Sequence, residues 1–140
     1  MSAAMTPINP ESLGAPRGYS NGMLAPPGGR LLFVAGQIAW DAGGQLRGTT
    51  FIEQFEAALG NVLAVVRAAG GGPEHIGRIN FYVTSCAEYL ADLSAVGEAY
   101  RRVMGRCYPA MALLQVAALV VPEAKVEIEA TAVVPEPQSR

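Results

Sequence analysis

Hydrophobic and polar residues alternate along the last part of the chain, from Lys125 to about Val134. In an extended strand the even-numbered residues of this stretch fall on one face, whereas Glu127 and Glu129 fall on the other. Such alternation is typical of a strand that is buried on one side only. The glutamates would lie about 6.6 Å apart along the chain, where like charges repel unless solvent, a cation or a hydrogen-bond donor intervenes. A water-facing strand is the simplest explanation of the pair.

Four further segments have the composition of strands. The turn APPGG at 25–29 predicts an antiparallel hairpin between the first two of them. Gly36 interrupts the second strand, which indicates a bulge or a close approach by another backbone. The four segments run from Tyr19 to Leu24, over RLLFVAGQIAW, over RINFYVT, and from Ala110 to about Leu119.

Apolar residues recur at helical spacing in two stretches. Thr50 and Glu53 predict a capping box at the start of the first helix, which the segment GGGP ends. Ser85 and Glu88 have the same form at the start of the second helix, which Gly105 ends. The resulting order, β-β-α-β-α-β-β, predicts an α+β fold with a mixed sheet and both helices on one face.

The composition predicts an oligomer. The chain of 140 residues fits one domain. Hydrophobic residues make up 51% of it and charged residues only 16%, so few charges are available to cover the surface. A sheet that is apolar on both sides needs a neighbouring subunit on the face that the helices leave open. Residues 1–16 and 135–140 lack periodicity and are expected to be loosely ordered or to lie along the surface.

Charge and composition argue against several classes of function. Lys and Arg total 10 and Asp and Glu total 12, which leaves no electrostatic footprint for nucleic acid or an anionic membrane. No apolar run approaches the roughly 20 residues that span a bilayer, and the N-terminal segment lacks a secretion pattern, so a cytoplasmic protein is expected. With His75 as the single histidine and Cys86 and Cys107 far apart, no metal site and two reduced cysteines are expected. His75 is expected to be solvated or to cap a turn.

Six segments, in order and at matching spacing, make the chain resemble a known family. They are GYSNG, FVAGQI, ALGNVLAVVRAAGG, RINFYVT, YPA and VEIEATAV, and they extend from Gly18 to Val134. The sequence is similar to the reactive intermediate deaminase family, also called RidA, YjgF-like or endoribonuclease L-PSP-like. The resemblance implies a chorismate-mutase-like α+β subunit, a homotrimer, and ligand clefts at the three subunit interfaces.

The resemblance also implies a reaction. Deaminating members hydrolyse imines and enamines to a keto acid and ammonia without a cofactor. In them an arginine directly after the Pro-Ala pair binds the substrate carboxylate, because a guanidinium matches a carboxylate with two parallel hydrogen bonds. In this chain that position is Met111. Losing two such bonds removes on the order of 3 to 6 kcal/mol of binding, or two to four decades.

Other predicted substrate-binding positions also depart from the deaminase pattern. Ala35 stands where a serine often precedes the Gly36-Gln pair, Gly97 aligns with an asparagine, and Leu113 aligns with a cysteine. Each change makes the cleft more apolar. Met111 is then expected to be an adaptable wall that selects an apolar part of the ligand, with simple core filling as the alternative.

Two residues match the pattern. The resemblance associates Tyr19 with the cleft wall and Glu127 with the attacking water, and a carboxylate can orient or deprotonate water. The alternatives are packing for Tyr19 and a structural hydrogen bond for Glu127. Backbone groups at Ala110 can bind a ligand carbonyl or water whatever the side chain. Arg17 and Arg106 are candidates to replace the missing arginine, with a surface role as the alternative.

Two functional hypotheses remain open from the sequence. The first is a homotrimer that binds a small reactive imine or enamine at each interface and hydrolyses it, with a specificity that differs from that of the 2-imino acid deaminases. The second is a non-catalytic binding or protective trimer. RNA cleavage is disfavoured by the acidic balance and the lack of a basic groove.

Overall fold

The alternating C-terminal segment forms an inner strand of a four-stranded mixed sheet. The structure, a computed structural model, describes residues 4–137, so residues 1–3 and 138–140 of the predicted loose ends lie outside the described residues. The elements are β1 (Thr6–Ile8), β2 (Gly22–Leu24), β3 (Arg30–Gln37), α1 (Phe51–Ala68), β4 (Ile76–Val83), α2 (Cys86–Ala91), α3 (Leu93–Met104), β5 (Ala110–Gln115) and β6 (Val126–Val134).

The sheet has the strand order β3-β6-β4-β5. Strand β6 pairs antiparallel with both β3 and β4, whereas β5 pairs parallel with β4. A parallel neighbour requires a crossover connection, which α2 and α3 supply here. Strands β1 and β2 form a separate two-stranded sheet. The α+β fold with a mixed sheet that the sequence predicts is therefore confirmed.

The predicted hairpin between residues 19–24 and β3 is wrong. Strand β2 pairs with β1, with Thr6 opposite Leu24, and β3 pairs with β6. The turn signal in APPGG does end β2, but a turn does not decide which strand its neighbour joins. The longer strand β6 offers β3 a more extensive pairing than the three residues of β2 can. Strand β1 is too short to show a period, so the sequence did not predict it.

Both predicted N-terminal helix caps are present, the first as a complete capping box and the second through the Ser85 side chain alone. Thr50 Oγ1 accepts a hydrogen bond from the Glu53 N–H at 3.2 Å, and the Glu53 carboxylate accepts one from the Thr50 N–H at 3.1 Å, which completes the capping box of α1. The hydrogen bonds that the Glu53 carboxylate accepts, first from the Thr50 N–H and then from the Thr49 N–H and the Thr50 hydroxyl, hold the pKa of Glu53 below its usual value. Ser85 caps α2 by accepting a hydrogen bond from the Glu88 N–H at 3.1 Å.

The second predicted helix is divided in two at Asp92. The Asp92 carboxylate accepts a hydrogen bond from the Ala95 N–H at 3.0 Å and so caps a new helix, α3. A short acidic side chain competes with the helix for backbone N–H groups, and the apolar period alone does not reveal such a break. Gly105, with a φ of 62°, ends α3 as predicted.

The two faces of the four-stranded sheet differ in burial. On the helix-covered face, the even-numbered residues of β6 are buried under α1; they are Val126, Ile128, Ala130, Ala132 and Val134. On the opposite face, here called the open face, Glu127 and Glu129 are half-buried. Leu31, Phe33 and Leu114 are exposed by 59%, 73% and 50%. The predicted alternation is confirmed.

His75 caps a turn and is not solvated. It is only 6% exposed, and its Nδ1 accepts a hydrogen bond from the Gly72 N–H at 2.9 Å. Of the two alternatives that the sequence left open, capping is therefore confirmed and solvation is wrong.

Three further observations concern the cysteines, membrane-spanning helices and metal ligands. Within the described residues Cys86 and Cys107 are free, and burial raises the pKa of the Cys107 thiol. None of the helices in residues 4–137 has both the length and the apolar character required to cross a bilayer. Over the same residues, no group of three or more His, Cys, Asp or Glu side chains is placed to hold a metal ion.

Candidate functional site

Gly36 lies in a bulge of β3 that makes room for the Glu127 carboxylate. The pairing register between β3 and β6 shifts between Val34 and Gln37, which confirms the predicted bulge. A Cβ atom at Gly36 would lie 2.4 Å from Glu127 Oε2, so a side chain there would displace the carboxylate. Ala35, the neighbouring candidate, is exposed and adds only a methyl group beside this position.

Glu127 and Glu129 have different surroundings on the open face. Tyr82 donates a hydrogen bond from its hydroxyl to Glu129 Oε1 at 2.5 Å. This bond is the main reason that the pKa of Tyr82 is raised, and the charges of both glutamates add to the effect. Across residues 4–137 the Glu127 carboxylate makes neither a hydrogen bond nor an ion pair. Glu129 therefore has a structural partner, whereas Glu127 is free to bind a ligand or water.

A cleft of about 470 Å³ lies on the helix side of the molecule, between β5, α3 and the loop before β2. Met111 and Leu113 line it from β5, and Tyr19 lines it from the loop. Its deeper part is aromatic: Phe55 stacks on Phe81 with ring centroids 5.6 Å apart. A second stacked pair, Tyr100 and Tyr108, has centroids 5.5 Å apart.

The loop that carries Tyr19 is held to the segment before β5. The Ser20 N–H donates to the Pro109 carbonyl at 3.1 Å, and Ser20 Oγ donates to the Tyr108 carbonyl at 2.6 Å. Ser20 also forms an isolated parallel bridge with Ala110. The structure thus uses the backbone around Ala110 partly to position the loop, and Tyr19 is kept beside the cleft.

Tyr100 is fixed at the base of the cleft. Its hydroxyl donates a hydrogen bond to the Cys107 carbonyl at 2.5 Å, and burial raises the pKa of Tyr100. Because the hydroxyl is occupied and the ring is stacked, Tyr100 offers the ligand an apolar surface.

The predicted site residues form two groups that the sheet separates. Tyr19, Met111 and Leu113 belong to the cleft, where Met111 is paired with the buried Ile79 on the helix-covered face. Ala35, Gly36 and Glu127 belong to the open face, where Glu127 is paired with Tyr82. One chain therefore does not bring its candidate catalytic carboxylate to its own Met111 cleft.

The cleft also contains an arginine that was not predicted from the sequence, Arg101. Arg17, one of the two predicted candidates, lines the cleft together with Arg101. The other candidate, Arg106, lines a separate cavity of about 220 Å³ instead. The signal for Arg101 was its position four residues after Gly97, which places the two on the same side of one helix.

A cavity of about 850 Å³ lies away from both groups. It is lined by the turn at 26–30, the end of α1 and residues 133–137. Arg30, its cationic residue, donates hydrogen bonds to the Ala69 and Pro135 carbonyls and so has a structural role.

Comparison with known proteins covers almost the whole chain. The family model described as Endoribonuclease L-PSP matches residues 10–134. The RutC family protein y4sK of Sinorhizobium fredii is 38% identical over 104 residues, which are 73% of this chain and 78% of that protein. The 2-iminobutanoate/2-iminopropanoate deaminase of Capra hircus is 33% identical over 117 residues, which are 82% of this chain and 79% of that protein.

A solved structure shares the fold over its full length. The Rid family protein YyfB of Yersinia pestis superposes with a TM-score of 0.84 at 34% sequence identity. The match covers 94% of this chain and 100% of that chain. The order of elements described above is therefore shared with a crystallographically determined relative.

Proposed function

Since this chain belongs to the endoribonuclease L-PSP family, the RidA/YjgF-like family that its sequence resembles, we propose that it is a homotrimer that binds a small reactive imine or enamine at each subunit interface and hydrolyses it. The observation that supports this most is the separation of the two groups of site residues. Met111 lies on the helix-covered face and Glu127 lies on the open face of the same sheet. A second copy is needed to bring a Glu127 to a Met111 cleft.

The open face offers an apolar surface for this assembly. Leu31 and Phe33 on the edge strand β3 and Leu114 on the opposite edge strand β5 are all at least half exposed there, on either side of β6, which carries the two glutamates. Several large apolar side chains exposed on one face of a sheet are typical of an interaction surface. Burying one such side chain contributes about 1.5–3 kcal/mol, so a contact that covers all of them stabilises the assembly substantially.

The proposed reaction needs a group that accepts and returns a proton. The Glu127 carboxylate takes a proton from water as the water oxygen bonds to the imine carbon, and it delivers that proton to the nitrogen. The same carboxylate then moves the proton of the new hydroxyl to the nitrogen, the C–N bond breaks, and ammonia and a carbonyl product leave. Tyr19 can donate a hydrogen bond to the substrate from the cleft wall.

The specificity should differ from that of the relative named for 2-iminobutanoate and 2-iminopropanoate. Both of those compounds carry a carboxylate beside the reacting carbon. Met111 offers no hydrogen bond at the position where the resembled deaminases bind that carboxylate. We therefore expect a substrate whose reacting carbon lies next to an apolar group.

The specificity is tested with imines generated in situ by an amino-acid oxidase. Ammonia release from 2-iminobutanoate should be at least about two decades slower than with the goat relative, because two charge-assisted hydrogen bonds are missing. Equal rates would contradict the altered specificity. The mass in solution should be three times that of the chain, and a monomer at all concentrations would contradict the assembly.

A second candidate, a non-catalytic binding trimer, is favoured by the apolar replacements Ala35, Met111 and Leu113. The substitution Glu127→Gln separates the two candidates. For an enzyme, turnover falls by about 10² to 10⁴ while ligand binding is retained. For a binder, neither the wild type nor the variant releases ammonia from any imine offered. Glu129→Gln is the matched control, since Glu129 is held by Tyr82.

A further inference from the structure

The Met111 cleft is cationic at its surface and apolar at its base. Arg17 and Arg101 both line it, and within the described residues no acidic side chain does. The base consists of the stacked rings described above. Within one subunit, the two guanidinium groups have no carboxylate of the same chain beside them in the cleft and so favour an anion, whereas the rings favour a flat apolar body.

Arg101 lies over a gap in the surface of α3. A Cβ atom at Gly97 would lie 3.2 Å from Arg101 Nη1 and 3.9 Å from Arg101 Cζ, so the guanidinium rests against the bare backbone of the preceding turn. A larger side chain at position 97, such as the asparagine of the resembled family, would compete for this space. Gly97 therefore allows Arg101 to lie along the cleft wall.

The neighbouring arginine shows what is unusual about Arg101. Arg102 donates hydrogen bonds to Glu56 Oε1 at 3.0 and 2.7 Å, and these bonds raise the pKa of Arg102. Within residues 4–137, Arg101 makes no side-chain hydrogen bond and no ion pair. Its donors are thus available to a ligand, and those of Arg102 are not.

The geometry points to Arg101, assisted by Arg17, as the anchor for a small, flat, apolar carboxylic acid whose body lies on the aromatic base of the cleft. This inference deepens the proposed function and rests on it. The anion anchor is moved from the strand position of Met111 to helix α3. A substrate with this arrangement carries its carboxylate away from the apolar wall that Met111 forms.

Equilibrium binding tests the anchor without any turnover. Phenylacetate and its neutral counterpart phenylacetamide are titrated into the full chain, and dissociation constants are measured by ligand-observed NMR. Phenylacetate should bind about 10- to 100-fold more tightly, because a charge-assisted hydrogen bond is lost in the amide. Arg101→Met should abolish this preference and leave phenylacetamide binding unchanged, which also shows that the cleft is folded. Arg17→Met should reduce the preference partly.

Arg102→Met is the matched control and should keep the full preference, since Arg102 is directed to Glu56. Three results would overturn the inference: equal binding of the two compounds by the wild type, failure of both to bind, or an unchanged preference in Arg101→Met. Ammonia release from neutral imines is a separate readout. If ammonia is released from neutral imines but phenylacetate is not preferred over phenylacetamide, the anchor is wrong and the proposed function stands. If phenylacetate is preferred but no ammonia is released, the anchor stands and the proposed function is wrong.

Discussion

The two faces of the four-stranded sheet are built from the same strands, but only one of them is covered by helices of the same chain. On the helix-covered face, Ile128 and its neighbours in β6 are buried by α1 of the same chain. On the open face, one residue away along the strand, Glu127 is half-buried and Phe33 is 73% exposed. The first face is covered by other parts of the same chain, whereas the second has exposed apolar side chains and a carboxylate without a partner among residues 4–137.

This difference teaches where stability and function are located. The helix-covered face determines whether the subunit folds, because its apolar contacts are made within the chain. The open face determines the proposed assembly and, through Glu127, the proposed chemistry. Substitutions on the helix-covered face should therefore change the free energy of unfolding, whereas substitutions on the open face should change the assembly of subunits.

The largest effect is expected from Ile128→Ala on the helix-covered face. Ile128 is 0% exposed, and truncation of such a side chain to alanine lowers the free energy of unfolding by about 2–5 kcal/mol. Urea denaturation at fixed protein concentration measures the change. Val120→Ala is the control, because Val120 is 98% exposed and should change the value by less than about 0.5 kcal/mol. Equal effects of the two substitutions would mean that the core has been placed on the wrong face.

The next effect is expected from Phe33→Asp on the open face. Losing the burial of one aromatic side chain weakens each subunit contact by about 1.5–3 kcal/mol, or roughly 10- to 100-fold. Sedimentation velocity over a dilution series should show earlier dissociation, while the circular dichroism of the subunit stays the same. Val120→Asp adds the same charge away from the sheet and should leave the assembly intact. Unchanged assembly in Phe33→Asp would remove the open face from the interface.

The smallest effect is expected from Tyr82→Phe, which removes the hydrogen bond to Glu129 on the open face. The free energy of unfolding should fall by about 1 kcal/mol. The pKa of Tyr82 is raised above its ordinary value of 10.0, chiefly by this bond, so the folded state favours the neutral phenol. The contribution is therefore complete below pH 10 and is lost as the pH rises through the folded-state pKa.

Unfolding measurements from pH 8 upward check this sign, given the ordinary pKa of 10.0. The difference between the wild type and Tyr82→Phe should narrow at the alkaline end. Tyr19→Phe serves as the control, because the Tyr19 hydroxyl makes no hydrogen bond among the described residues. A difference in the free energy of unfolding between the wild type and Tyr82→Phe that stays constant with pH would show that the hydrogen bond from Tyr82 to Glu129 does not stabilise the fold.

Features that depend on a few adjacent residues could be predicted from the sequence. The capping box of Thr50 and Glu53 needs only local hydrogen bonds, and the alternation in β6 needs only a period of two. The bulge at Gly36 was predicted because a glycine within a strand marks a bulge or a close approach by another backbone. In each case the physical cause lies within the segment itself.

Features that depend on distant residues could not be predicted in the same way. The choice of β6 over β2 as the partner of β3 is made by long-range burial, which a turn signal does not report. The side chain of Arg101 is available because it has no partner among residues 4–137, and the corresponding pairing of Arg102 with Glu56 joins two helices. The separation of Met111 from Glu127 appears only when the register of all strands is known.

The bulge at Gly36 has a consequence for how this chain tolerates insertions. A strand repeats every two residues, so adding or removing a single residue in β6 without a further bulge would exchange inside for outside in the part of the strand beyond the change. Glu127 would enter the apolar interior while Ile128 turned outward, and the recess left by Gly36 would face the wrong side chain. Fold and chemistry would be lost in one step, so viable length variants of this strand should change by pairs of residues.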